Sequence, residues 1–254
     1  MKTTAMVLCL SLTAALPASV RGGERVVGVE EPAAQRATQF HHDFSPGQTL
    51  QDKVHIAGIS YPLPDGVWTV CGTNTPGEDE QTVKAASGGQ SVLEGELYLY
   101  QQSGQQLSHF LVLTIPLGAA AASTTPAALP AICHPQSSSP ARLWQASYSL
   151  LPGALDCASV SYGNAINWKG VEENFLKSSL KKRGVGYGGN HLTAKLYISD
   201  GGNYYSLVYA EYLDTLDYLD LARFKTTQAM SIRQFTEQTL RLRDLLKAGI
   251  PQRP

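Results

Sequence analysis

The chain has 254 residues, 43% of them hydrophobic, with 20 Lys+Arg against 21 Asp+Glu and a formal net charge of −1. That apolar fraction supports a packed core and excludes global disorder. The balanced charge leaves no basic excess to neutralise phosphates, so nucleic acid is not an expected partner.

Residues 1–20 read as a cleavable secretory signal. Lys2 is a minimal positive n-region, residues 5–16 form an apolar stretch of h-region length, and Ala18 and Ser19 follow the breaker Pro17. The stretch is shorter than the roughly 20 apolar residues of a membrane span. Cys9 lies inside it without the small residues that precede a lipoprotein cleavage site. No Asn-x-Ser/Thr sequon occurs, which points toward a bacterial envelope. Removing the signal takes Lys2 away and leaves 19 basic against 21 acidic residues, a net of −2. The expected setting is periplasmic or secreted, with no membrane span after cleavage.

Residues 21–53 are polar, carry Pro32 and Pro46, and predict an extended lead-in. A short strand is predicted over 54–59. The run Tyr61-Pro62-Leu63-Pro64-Asp65-Gly66 is turn chemistry, because proline fixes φ and Asp-Gly suits a hairpin corner. Strands rich in β-branched and aromatic residues follow over 67–71, 91–101 and 107–117, with Gly104 at a tight reversal. Their short connections predict an antiparallel β-meander over 54–118. An Ala/Ser/Thr/Pro stretch over 119–131 reads as a linker or loop.

Strands are predicted again over 142–150 and 156–162. The period then changes: Ile166, Val171, Phe175, Leu176 and Leu180 recur on one helical face, and Gly184 is placed to end that helix. Strands over 192–199 and 204–212 are joined by Asp200-Gly201-Gly202-Asn203, a strong hairpin signal. A last helix is predicted to start near Ser231, with Ser231 and Gln234 as a capping box. Its apolar stripe is Ile232, Phe235, Leu242, Leu245 and Leu246, stopped by Gly249 and Pro251. The fold class is α+β: an antiparallel β-rich N-terminal half, and a C-terminal half (132–254) of strands with two amphipathic helices. Whether the halves form one domain is open at this level.

No motif carries a cofactor or a metal. The glycines 184, 186, 188 and 189 sit between a helix and a strand, the reverse of the strand-to-helix order a phosphate loop needs. His41-His42-Asp43 lacks the spacing that presents two imidazoles together. The basic run Lys181-Lys182-Arg183 falls at a helix end, where cations offset the macrodipole. The tyrosines of 197–218 divide between two strand faces, as ordinary sheet packing requires. Glu211, Asp214, Asp217 and Asp220 read as a solvated edge.

Three cysteines remain after the signal: Cys71, Cys133 and Cys157. The favoured arrangement is a Cys133–Cys157 disulfide with Cys71 as a buried small hydrophobe, pairing through Cys71 being the alternative. A competing reading makes Cys157 a thiol nucleophile with His191 as its base.

Three pieces together resemble a group of uncharacterised exported proteobacterial proteins. They are Leu63-Pro64-Asp65-Gly66-Val67-Trp68-Thr69-Val70, Leu155-Asp156-Cys157-Ala158-Ser159-Val160, and the Trp168 helix leading into 192–209. The resemblance implies a periplasmic setting, supports the Cys133–Cys157 pair and carries no activity. The expected function is a non-enzymatic binding or assembly module of the envelope whose surface is the β-rich half. Its partner would be an envelope protein or a small ligand. The alternatives are a Cys- or Ser-dependent hydrolase or transferase, and a small-ligand carrier, which needs an apolar cavity of roughly 300 Å³ or more between sheet and helices.

Overall fold

In the computed structural model, residues 33–75, 94–117, 131–134, 141–151, 154–163, 171–187, 189–200, 203–213 and 221–250 are described. The signal region, residues 119–130 of the expected linker and Asp214, Asp217 and Asp220 lie outside them.

The first element departs from the expected extended lead-in. Ala33–Asp43 is a helix, α1. Ala37, Phe40 and Phe44 recur at helical spacing and are buried, which turns this side of the chain onto the sheet. After β1 (Thr49–Leu50), the strand expected over 54–59 is broken in its middle. Ala57 and Gly58, at φ 51° and 76°, make the turn between β2 (Lys53–Ile56) and β3 (Ile59–Pro62). Positive φ at both central residues is what a type I′ hairpin demands.

Seven longer strands follow: β4 (Trp68–Asn74), β5 (Glu94–Ser103), β6 (Gln106–Pro116), β7 (Arg142–Leu151), β8 (Ala154–Gly163), β9 (His191–Asp200) and β10 (Asn203–Tyr212). With β1 they form an eight-stranded sheet in the order β1-β4-β5-β6-β10-β9-β8-β7, while β2 and β3 form their own two-stranded sheet. Every pairing is antiparallel. The expected meander is present as β4-β5-β6, and Gly104, at φ 60°, lies in the turn between β5 and β6. Pairing of β6 with β10 carries the sheet from one half of the chain to the other. The architecture is α+β.

Alternation along the strands gives the sheet two faces. On the first lie Trp68, Val70, Leu97, Leu99, Leu111, Leu113, Leu207 and Tyr209, all buried. α1, the β2–β3 hairpin and the last helix cover it in one apolar cluster. Gly95 is where α1 crosses. A Cβ there would lie 2.9 Å from both Phe40 and Leu117, so only glycine lets the helix approach this closely. Trp68 closes one end, its indole N–H donating to the Pro64 carbonyl at 2.7 Å.

The C-terminal helices are α3 (Leu221–Thr227) and α4 (Ala229–Gly249). α4 starts earlier than its expected cap. Gln228 occupies the cap position without a side-chain cap bond, and the Ser231 hydroxyl, inside the first turn, donates to the Gln228 side chain at 3.0 Å. Its buried stripe is Phe235, Thr239, Leu242 and Leu246, whereas Leu245 is 58% exposed. Gly249 ends the helix against β3, where a Cβ would fall 2.0 Å from the Ser60 carbonyl oxygen.

The second face carries a smaller cluster of Cys71, Tyr98, Tyr100, Phe110, Val112 and Ala210, met by Leu180 and Val185. Leu180 belongs to α2 (Val171–Lys182). Gly184, at φ 68°, ends α2 as expected. The Val185 N–H bonds the Leu180 carbonyl at 3.1 Å and the Gly184 N–H bonds the Lys181 carbonyl at 3.1 Å, a Schellman closure with its apolar Leu180–Val185 contact.

Candidate ligand-binding site

Cys133 and Cys157 are disulfide-bonded, with Cα atoms 5.4 Å apart, and Cys71 is free and buried. The bridge pins the short 3-10 turn Ala131–Cys133 to β8. With that bridge formed, Cys157 presents no free thiol. His191 is not near it: Cys157 pairs with Tyr197 and Gly163 with His191, so six residues of strand, about 20 Å, separate them. The His191 ring lies instead over Gly163, with Nδ1 3.3 Å from the Gly189 carbonyl. Burial pushes its imidazole below the usual histidine range against a smaller opposing effect of that backbone bond.

The histidines of α1 are likewise engaged. His41 bridges to β4 through Nδ1–Thr73 Oγ1 at 2.7 Å and Nε2–Thr75 Oγ1 at 3.1 Å, so both ring nitrogens are occupied. His42 is exposed. Among the described residues no cluster of three or more His, Cys, Asp or Glu side chains could hold a metal ion.

A polar group that sequence reading missed lies at the end of the first face. His109 of β6 sits directly opposite Glu211 of β10 and stacks on Tyr209, rings 5.9 Å apart and 4° from parallel. Trp68 meets both rings edge-on. Burial lowers the His109 pKa and raises that of Glu211, so both groups are pushed toward neutrality. Cross-strand register alone juxtaposes them, and no linear motif announces it.

A site with room for a ligand lies on the second face. A cavity of about 340 Å³ lies between β4 and the end of α2, lined by Pro46, Cys71, Ser178, Ser179, Lys182 and Arg183. Alternation along β4 turns Cys71 to this face, opposite Val70, and a register shift between Val70 and Gly72 follows there. The Ser179 hydroxyl donates to the Cys71 carbonyl at 2.9 Å, tying helix to strand. Desolvation raises the Cys71 thiol pKa, outweighing the Ser179 bond and the Arg183 charge that lower it, so the thiol stays protonated near neutral pH. Lys182 and Arg183 are exposed at the rim. The wall is mostly apolar, and its described lining residues include no imidazole and no carboxylate.

Fold and site together define an α+β protein with a helix-covered antiparallel sheet and a small cavity on its less covered face. No family model, curated protein or solved structure matches this chain.

Proposed function

We propose that the chain is an exported envelope protein, periplasmic or secreted, that acts as a non-enzymatic binding module holding a small ligand between β4 and α2. The observation that carries this reading is the cavity. Its volume of about 340 Å³ falls within the range of small-molecule sites, at the low end. Export is supported by the signal-like residues 1–20 and by the Cys133–Cys157 bridge, since disulfides persist in oxidising compartments. The resemblance to exported proteobacterial proteins points the same way. Among the described residues no helix is long and apolar enough to cross a membrane.

Two measurements test the proposal. Cell fractionation with N-terminal mass analysis should find the chain outside the cytoplasm and shortened near residue 20; an intact cytoplasmic chain refutes export. A fragment screen by heteronuclear NMR should shift β4 and α2 resonances, and Ser178→Trp, which fills the cavity from an exposed position, should abolish those shifts. Shifts confined to other elements would refute the binding site. A second reading, an assembly surface, is favoured by the edge strand β7, which exposes Tyr148, Leu150 and Leu151. Crosslinking from the envelope would capture a partner through that strand if it is correct.

A further inference from the structure

We propose that the cavity selects a small organic anion, with an oxyanion headgroup at Lys182 and Arg183 and a short apolar tail against Pro46 and Cys71. This rests on the reading that the cavity is a binding site, and it adds the class of ligand.

The argument begins with charge. Lys182 and Arg183 both line the rim, and neither ion-pairs with a described residue. The described lining residues include no carboxylate to neutralise them. Macrodipole compensation explains cations at a helix end, but it does not require them to surround an opening. The Arg183 guanidinium is also positioned. Its Nη1 and Nη2 lie 3.5 and 3.8 Å from the point a Cβ on Gly47 would occupy, so the planar fork rests over the bend at Pro46 and Gly47. A fork presented this way matches the paired oxygens of a carboxylate or phosphate.

The helix end itself does not oppose an anion as strongly as a bare C-terminus would. Its carbonyls at Leu180 and Lys181 already accept N–H groups from the loop that follows. Deeper in, polarity falls away. Ser179 has spent its proton on the Cys71 carbonyl, and the thiol beneath is neutral and buried. The cavity is therefore charged at its rim and apolar at its floor, with the volume of about eleven waters. An amphiphile of that polarity fits; a free inorganic anion would leave the apolar floor uncovered.

The test is isothermal titration of the full chain, disulfide intact, with hexanoate, hexyl phosphate, hexanol, hexylammonium and inorganic phosphate. Hexanoate and hexyl phosphate should bind saturably, hexanol at least about tenfold more weakly, and hexylammonium not measurably. Either Lys182→Gln or Arg183→Gln should weaken hexanoate by roughly tenfold, and added salt should weaken it further. Because both side chains are exposed, these variants should melt where the parent does. Equal binding of hexanol and hexanoate, still lost in Ser178→Trp, would overturn the anion class while keeping the cavity as a site. Hexanoate binding that survives Ser178→Trp would overturn both. Binding of hexyl phosphate alone, or of inorganic phosphate equally well, would overturn the shared-headgroup amphiphile in favour of a phosphate site.

Discussion

Arg243→Met should be among the costliest single substitutions outside the apolar core. Asp156, on β8, is almost sealed, its side chain 5% exposed. It takes two bonds from Arg243, Nε to Oδ1 at 2.7 Å and Nη2 to Oδ2 at 2.5 Å, and one from Lys247 at 2.9 Å. Arg243 is itself 11% exposed and lies 3.6 Å over the Tyr148 ring, so it clamps α4 to β8 and to the edge strand β7. Burial alone would push the Asp156 pKa up, but the hydrogen bonds and charges of Arg243 and Lys247 outweigh it and hold the carboxyl below its ordinary value. Removing one partner of a buried pair costs about 3–5 kcal/mol. Lys247 remains and is half-exposed, which places Arg243→Met near 3 kcal/mol, a fall of about 1 M in the urea midpoint.

The pH dependence follows from the same clamp. A carboxyl lowered in the folded state adds stability that is complete above about pH 3.9 and is lost as pH falls through the folded value. In Arg243→Met the folded value moves up toward the unfolded one, so this acid-dependent loss should shrink. The double variant Asp156→Leu/Arg243→Met should recover most of the stability, because no charge is then left buried. Urea titrations of the four species between pH 2.5 and pH 7 give the cycle. A cost below about 0.5 kcal/mol for Arg243→Met, or strictly additive single effects, would refute the clamp.

Other outcomes are read by the same assay. Tyr61→Phe should be neutral or stabilise by about 1 kcal/mol, since the fully buried Tyr61 hydroxyl has no described hydrogen-bond partner; a loss above that would mean the hydroxyl is satisfied. Gly249→Ala should destabilise by about 1–3 kcal/mol, because its Cβ meets the Ser60 carbonyl and α4 must retreat from β3; an unchanged midpoint would disprove that approach. Reducing Cys133–Cys157, or replacing both by serine, should cost about 3 kcal/mol, and a change under about 1 kcal/mol would show the bridge adds little. Burial lowers the pKa of His109 and His191, so the unfolded chain takes up protons first. Stability is full above about pH 6.5 and declines as pH falls toward the folded values. His109→Gln should flatten that decline, and an identical slope would refute it.

Local chemistry made much of the sheet legible. Alternating β-branched and aromatic residues marked β4 to β6 and β7 to β10, and Gly104 marked a reversal that the structure contains. The misses have physical causes. α1 is written in Ala37, Phe40 and Phe44 within a polar stretch, too sparse a stripe to distinguish from a loop. Ser231 has the composition of a cap but lies within α4, which begins without a side-chain cap. Gly95 within β5 is the crossing point of α1, which no local pattern of the strand announces. The cavity was beyond reach because its walls are separated by 108 residues, the distance along the chain from Cys71 to Ser179, and only the return of α2 to β4 brings them together. Lys182 and Arg183 were visible as a basic run, but their opposing wall was not.

Among the described residues the two faces are unevenly covered, and the cavity lies on the less covered one. On the first face a hairpin and two helices, α1 and α4, press bulky aliphatic and aromatic side chains into one continuous cluster. On the second, α2 reaches β4 at the sheet's margin, and the side chains that meet across the gap are small: Cys71 from the strand, Ser178 and Ser179 from the helix, Pro46 from the loop between α1 and β1. Leucine or phenylalanine at those positions would remove apolar surface from water at about 25 cal/mol per Å² and close the space. A gap that arose only from poor packing would not be expected to combine small residues with two cations at one rim that ion-pair with no described residue. Their coincidence favours the proposed binding cavity over a packing fault, and it is why the Lys182 and Arg183 variants, both at exposed positions, are informative about that proposal.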